Sequence, residues 1–228
     1  MRIGIDEGHG TGGDRGVNGY LNEEKVIREY AALIITGFQK LGDTVFNITP
    51  TQAGLTLGQS LAYRVNKANS LNLDLVISCH VNAFETDKAQ GCEVEYISAR
   101  AKVYADRVSA QIATLGFTNR GSKLRPNLYV LKYTKAVAIL VEPFFCDDKS
   151  DCNKYNALKL ANAIVKGVTE KDIPEAIVTV APVITKPVVV VLNKTYRVIA
   201  GSFSDEANAD ARIKELKAKG FESFKILI

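Results

Sequence analysis

Residues 2–13 read RIGIDEGHGTGG, a short apolar run that stops at a histidine set among glycines and carboxylates. The run has the pattern of a strand, and the glycines after it let the backbone turn sharply and approach a ligand closely. His9 is one of only two histidines in the chain, so the reading turns on what the rest of the sequence brings beside it.

Runs of the same kind recur outward from this one. Beyond RIGID (2–6), strands are predicted at DTVFNI (43–48), LDLVISC (73–79), CEVEYI (92–97), LYVL (128–131) and VAILVEPF (137–144). Segments of helical period separate them. NEEKVIREYAALIITGFQKLG (22–42) starts on a capping Asn22, carries Glu23 and Glu24 in its first turn, aligns Val26, Ile27, Tyr30, Ala31 and Ile34 on one face, and ends at Gly42. LGQSLAYRVNKANSL (57–71), RAKVYADRVSAQIATLG (100–116) and NKYNALKLANAIVKGVTE (153–170) read likewise as helices. Alternating strands and helices predict an α/β fold, a mostly parallel twisted sheet flanked by helices on both faces.

Composition narrows the classes. With 228 residues, 46% of them hydrophobic, the chain can bury one full core and a small appendage. The formal charge of +4 is mild and not gathered into a basic run, so it says little about nucleic acid, and no nucleic-acid partner is expected. No stretch approaches the ~18 apolar residues of a membrane span; even VTVAPVITKPVVVVL (178–192) is broken by prolines and a lysine. No membrane partner is expected. The N-terminus enters a strand pattern without a basic region and long apolar core, so synthesis in the cytoplasm without a Sec signal is expected. Cys79, Cys92, Cys146 and Cys152 lack a C-x-x-C spacing and read as buried free thiols.

In open α/β sheets, sites gather outside the carboxyl ends of the strands. His9 follows one predicted strand, His80 ends another, and Glu142 lies near the end of a third. Either histidine alone reads as a satisfied core or surface residue; two at matching strand ends suit zinc, whose catalytic sites take a third protein ligand and keep a position for water. Glu23 and Glu24 open the helix after the glycine loop and could reach back over the strand ends, although acidic residues there also oppose the helix dipole. Glu23 shares the inward face of that helix with Val26, Ile27, Tyr30 and Ala31, which selects it as the ligand, with Glu24 as the alternative. Asn82 and Arg64 are candidates for orienting ligands or substrate; their plainer readings are a turn residue and a surface helix charge.

The segments DEGHG, GYLNEEKV, LVISCHVNA, GCEVEY and NRGSKLRPNLYVLKYTKAVAILVEPFF together resemble the zinc-dependent N-acetylmuramoyl-L-alanine amidases of the amidase-3 type, including phage endolysins. The resemblance spans about residues 2–170. It implies His9, a helix-opening glutamate and His80 as ligands of one zinc ion, Glu142 as the catalytic carboxylate, and bacterial peptidoglycan as substrate, cut between N-acetylmuramic acid and the L-alanine of the stem peptide. The family's ligand glutamate often precedes lysine, as Glu24 does here. Departures are Glu7 where proline is usual, Cys79 before His80, Val137 where the family often has proline, and Pro143-Phe144 in place of a residue followed by glycine. A zinc carboxypeptidase or endopeptidase of wall peptides, and a wall-binding protein with a dead site, are the alternatives. The resemblance to endolysins implies a phage or prophage lysin that reaches the wall after release.

Beyond residue 172 the character changes. Residues 173–192 carry Pro174, Pro182 and Pro187 without helical period and read as a linker between a catalytic domain over 1–172 and a small α+β segment over 193–228. In that segment, YRVIAGSFSDEANADARIKELKAKGFESFKILI predicts strand, helix, strand, with a cap at Ser204 or Asp205 and an end at Gly220. It resembles the first half of a SPOR-type domain, which binds glycan strands stripped of their stems. A unit of ~33 residues is below the ~40 that usually fold alone, so either the chain is a shortened version of a longer lysin or two copies pair through this segment as a homodimer, and pairing is the favoured expectation.

Overall fold

The N-terminal apolar run becomes β1 (Arg2–Glu7), whose four central residues are buried. In the computed structural model, which describes residues 1–84, 88–174 and 206–218, there follow α1 (Glu23–Lys40), β2 (Thr44–Asn47), α2 (Leu57–Ser70), β3 (Leu75–Cys79), β4 (Cys92–Tyr96), α3 (Ala99–Ala113), β5 (Asn119–Leu124), α4 (Tyr129–Tyr133), β6 (Val137–Glu142), α5 (Lys149–Lys154), α6 (Ala157–Thr169) and α7 (Glu206–Ala218). The chain divides into the units Met1–Val178 and Thr179–Ile228. The first holds one six-stranded sheet in the order β2-β1-β3-β6-β4-β5. The strands β2, β1, β3 and β6 run parallel. β4 runs antiparallel to β6 and parallel to β5, so the sheet is mixed with a single antiparallel seam.

Helix α1 forms where the sequence places it because Asn22 accepts a hydrogen bond from the Lys25 amide and Glu23 and Glu24 face the positive helix end. Its residues Val26, Ile27, Tyr30, Ala31, Ile34 and Phe38 are buried with apolar residues of α3 and α6 against Ile3, Ile5, Leu75, Ile77, Ile139 and Val141. Burying each large aliphatic or aromatic side chain contributes ~1.5–3 kcal/mol, and this face carries the larger core. The second face is smaller: Ala68 of α2 and Leu131 of α4 pack on Val76, Ala138 and Leu140. The helix that packs most closely on β4 and β5 is α3, on the first face.

Three details differ from the sequence reading. LYVL is not a strand; Leu128 caps the short helix α4, with Val130 and Leu131 buried and Tyr129 and Tyr133 exposed one turn apart, their rings 4.6 Å between centroids. Four apolar residues are too few for periodicity to separate strand from helix. β5 is a strand that the sequence conceals, because NRGSKL holds one apolar residue and, at the edge of the sheet, pairs among the described residues only with β4. The helix predicted over 153–170 is two: α5 stops at Tyr155, and Asn156 caps α6 by accepting from the Lys159 amide. The free thiols follow the expectation, with Cys79, Cys92 and Cys146 buried and Cys152 partly so. No helix among the described residues is long and apolar enough to cross a membrane. Apart from Ile173 and Pro174, the linker lies outside the described residues, as do both predicted strands and the caps of the C-terminal segment; of that segment the helix α7 is described.

Candidate active site

Three elements converge at the carboxyl ends of β1 and β3. His9 stands just past β1 in the left-handed backbone region, with φ of 59°, a conformation that costs a non-glycine residue roughly 1–2 kcal/mol. Two arginines hold it there: Arg28 Nη2 and Arg64 Nη2 donate to the His9 carbonyl at 3.1 and 2.7 Å. Its ring is aimed by Asp14, whose Oδ1 lies 2.5 Å from Nδ1, which turns Nε2 toward Glu23 Oε1 at 3.0 Å. Burial disfavours a charged His9 ring, but the Glu23 and Asp14 carboxylates outweigh it and raise its pKa.

Glu23, the first residue of α1, is 3% exposed. Its Oε1 lies between the two rings, 3.4 Å from His80 Nδ1, and accepts from the Val81 amide at 3.1 Å, while Oε2 accepts from the Val17 amide at 2.9 Å. Burial alone would raise this carboxyl, but hydrogen bonds from His80, His9 and the Val17 amide hold it far below the usual carboxylate range. His80 follows β3; its carbonyl accepts from the buried Tyr30 hydroxyl at 2.8 Å and its amide donates to Val141 at 3.0 Å. The imidazoles meet edge to face, 4.7 Å between centroids. The loop glycines leave room for this. A Cβ on Gly8 would lie 2.6 Å from the His80 ring, and one on Gly16, at φ of 68°, would lie 2.7 Å from Glu23 Oε2.

His9, Glu23 and His80 thus offer one ligand atom each, all within 4.8 Å of one another. Glu24 is turned aside and pairs with Arg15 at 3.0 Å. Glu142 ends β6 with its Oε2 buried and, among the described residues, without a hydrogen-bond partner. Burial, then the nearby Glu23, Glu95 and Glu93 carboxylates, raises its pKa well above the ordinary value.

Arg64 is neither a surface charge nor open to substrate. It is 2% exposed, ion-paired with Asp6, bonded to Ser60 Oγ and to the Glu7 and His9 carbonyls, so it supports the His9 turn from below. Asn82 bridges to Phe145 through its backbone and donates from Nδ2 to Glu93 Oε1 at 3.1 Å. Glu7 uses the place where proline is usual: its amide donates to Thr49 Oγ1 at 2.8 Å, a bond proline cannot make, and its carboxylate pairs with Arg28. Asp14, Arg28, Tyr30 and Glu93 escape the sequence reading. Only Asp14 carried a signal, as a carboxylate inside the glycine loop five residues after His9; the others act on partners far away along the chain.

Comparison with known proteins agrees with this architecture. The family model described as N-acetylmuramoyl-L-alanine amidase matches residues 3–171, and the SPOR domain model matches residues 192–226. Over its whole length the chain is 28% identical to the sporulation-specific N-acetylmuramoyl-L-alanine amidase of Bacillus subtilis (strain 168), covering 85% of that protein. It is 26% identical to the endolysin of Bacillus phage SPP1 over 74% of its own length and 63% of the endolysin's. Among solved structures, the catalytic domain of the CD27L endolysin targeting Clostridia difficile superposes with a TM-score of 0.72 at 34% identity, over 76% of this chain and 99% of that one. The chain belongs to the amidase-3 family of N-acetylmuramoyl-L-alanine amidases.

Proposed function

We propose that this peptidoglycan amidase works through one zinc ion held by His9 Nε2, Glu23 Oε1 and His80 Nδ1, with Glu142 as the group that moves the proton. The donor triangle carries the reading. Ligand atoms ~2.0–2.1 Å from a tetrahedral zinc stand ~3.3 Å apart, and Glu23 Oε1 lies 3.0 and 3.4 Å from the two ring nitrogens. Two imidazoles and a carboxylate are a donor set that catalytic zinc accepts, and when bound there the ion supplies a polarised amide carbonyl and a water acidified to ~7.

The chain's own residues supply the rest. Asp14 takes the Nδ1 proton of His9 as a hydrogen bond and so presents the Nε2 lone pair to the cluster. The unpartnered Glu142 Oε2 accepts a proton from the attacking water and hands it to the departing amine of L-alanine, the lactyl carboxylate being the other product. A carboxyl raised by burial is suited to both halves of that transfer.

The test is hydrolysis of purified walls read by end-group analysis. Chelation abolishes release of L-alanine amino termini and zinc restores it; Glu142→Gln keeps zinc and loses ~10²-fold or more in turnover. Full activity of metal-free protein, or near-normal turnover of the variant, overturns the proposal. New D-alanine or diaminopimelate amines would instead assign a carboxypeptidase or endopeptidase.

The SPOR match over 192–226 supports attachment to the wall as well as cleavage of it. We propose further that two copies pair through residues 193–228, since the apolar runs YRVIAGSF and FKILI, read from the sequence as strands, need covering. The site of action is the bacterial wall, reached after release from the cell that makes the protein.

A further inference from the structure

Beside Glu142 the second face of the sheet changes character. Glu93 of β4 stands opposite Glu142, and Glu95 stands opposite Leu140, in the antiparallel register with β6, so both glutamates share the face on which Leu140 packs. In place of an apolar layer, this half of the face carries ion pairs. Arg120 Nε donates to Glu93 Oε2 at 2.8 Å, and Arg125 Nε donates to Glu95 Oε1 at 3.1 Å. Lys123 lies in register with Glu95 on the same side of β5.

The two partners in each pair differ in exposure. Glu93 and Glu95 are buried, whereas Arg120 and Arg125 are exposed, Arg125 at 53%. Each arginine spends its Nε on its glutamate and, among the described residues, its outer nitrogens make no other hydrogen bond, so the planar five-donor fork has donors left for a further acceptor. Arg120 lies over the Phe145 ring at 5.2 Å. It also lines an open cleft of about 380 Å³ together with Gln90, Thr118 and Asp148, within the ~300–1,000 Å³ of small-ligand sites. The network reaches the candidate centre directly, because Glu93 also accepts from Asn82, two residues after His80.

We propose that this strip is the subsite for the departing peptide, and that Arg120 and Arg125 bind its carboxylates in an extended peptide lying along β5. The inference rests on the amidase reading and deepens it by assigning which substrate charge is recognised. The spacing suits the task. Glu93 and Glu95 are two residues apart on one strand, ~7 Å, which is also the rise of two residues of an extended peptide. The buried glutamates keep the guanidiniums oriented, and the exposed guanidinium edges are the part of the strip that an anionic ligand can reach.

The test compares a muramyl tripeptide whose peptide carboxylates are free with the same compound carrying carboxamides, using the full-length zinc-loaded protein. The wild type prefers the free acid by ~10-fold or more in kcat/KM, as expected for charge-assisted hydrogen bonds, and the preference shrinks at high salt. Arg125→Gln raises KM for the acid more than for the amide form and leaves kcat near the wild-type value. Arg125→Lys retains part of the preference. Arg120→Gln strips the buried Glu93 of its partner and can unfold the protein, so Arg125→Gln, at the better-exposed position, carries the comparison. Equal turnover of acid and amide by the wild type, or equal losses on both substrates in Arg125→Gln, overturns the inference; so does a loss that follows glycan length instead of peptide charge. Failure of the amidase reading looks different, with no L-alanine amino terminus released from either compound.

Discussion

Replacing Arg64 by methionine keeps most of the side-chain volume and removes one of the two guanidiniums that hold the His9 turn. Arg64 and Asp6 are 2% and 1% exposed, and besides Arg64 the Asp6 carboxylate has the Ser78 hydroxyl, donating to Oδ2 at 2.7 Å. Removing one partner of a buried ion pair leaves the other charge uncompensated and costs ~3–5 kcal/mol. The Glu7 and His9 carbonyls lose a donor as well, although Arg28 still reaches the His9 carbonyl. Against a total stability of ~5–15 kcal/mol, the single variant has a strongly lowered urea midpoint. The decisive measurement is the double-mutant cycle with Asp6→Asn, followed by urea unfolding of chelator-treated protein. Taking away both charges removes the stranded ion, so the double variant loses less than the sum of the single ones, with a coupling of ~1–3 kcal/mol. Additive losses would refute the argument, since Arg64 would then act by packing alone.

Three further outcomes follow from the site. Glu23→Gln loses zinc, measured by metal content after dialysis, while Glu24→Gln keeps it, because Glu24 faces Arg15 and not the cluster; the opposite pattern would move the ligand to Glu24. Asp14→Asn weakens zinc binding ~10–100-fold in competition with a chromogenic chelator, the usual cost of losing a carboxylate behind a ligand histidine, and an unchanged affinity would leave Asp14 a loop residue. Deleting residues 188–228 leaves the cleavage chemistry intact, lowers wall affinity in sedimentation and gives a monomer by light scattering, whereas a full-length protein that is already monomeric rules out pairing through the tail.

The parts of the site legible in the sequence are those fixed by their position on an element. A strand's apolar run ends at a definable residue, so His9, His80 and Glu142 can be placed at strand ends, and α1's apolar face turns Glu23 inward. The supporting groups are illegible for a physical reason. Tyr30 reads as another core aromatic because its hydroxyl partner is a backbone carbonyl fifty residues away, and Arg64 reads as a helix charge because nothing local reveals that Asp6 lies under it. The same limit hides β5, whose pairing comes from β4 and not from its own pattern.

The antiparallel seam has a consequence for the chemistry. In a wholly parallel sheet the first residues of β4 and β5 would lie at the end away from Glu142, and the carboxyl end would hold only what β1, β3 and β6 deliver. Reversing β4 against β6 puts Glu93 opposite Glu142, and β5, parallel to β4, brings Arg120 to the same end. The strands that run one way therefore deliver Glu142 and the histidines, and those that run the other way supply the charged strip beside them. A helix over β4 and β5 on that face would leave the same ion pairs buried and purely structural; with the arginines exposed, they remain available to a substrate that lies across the seam.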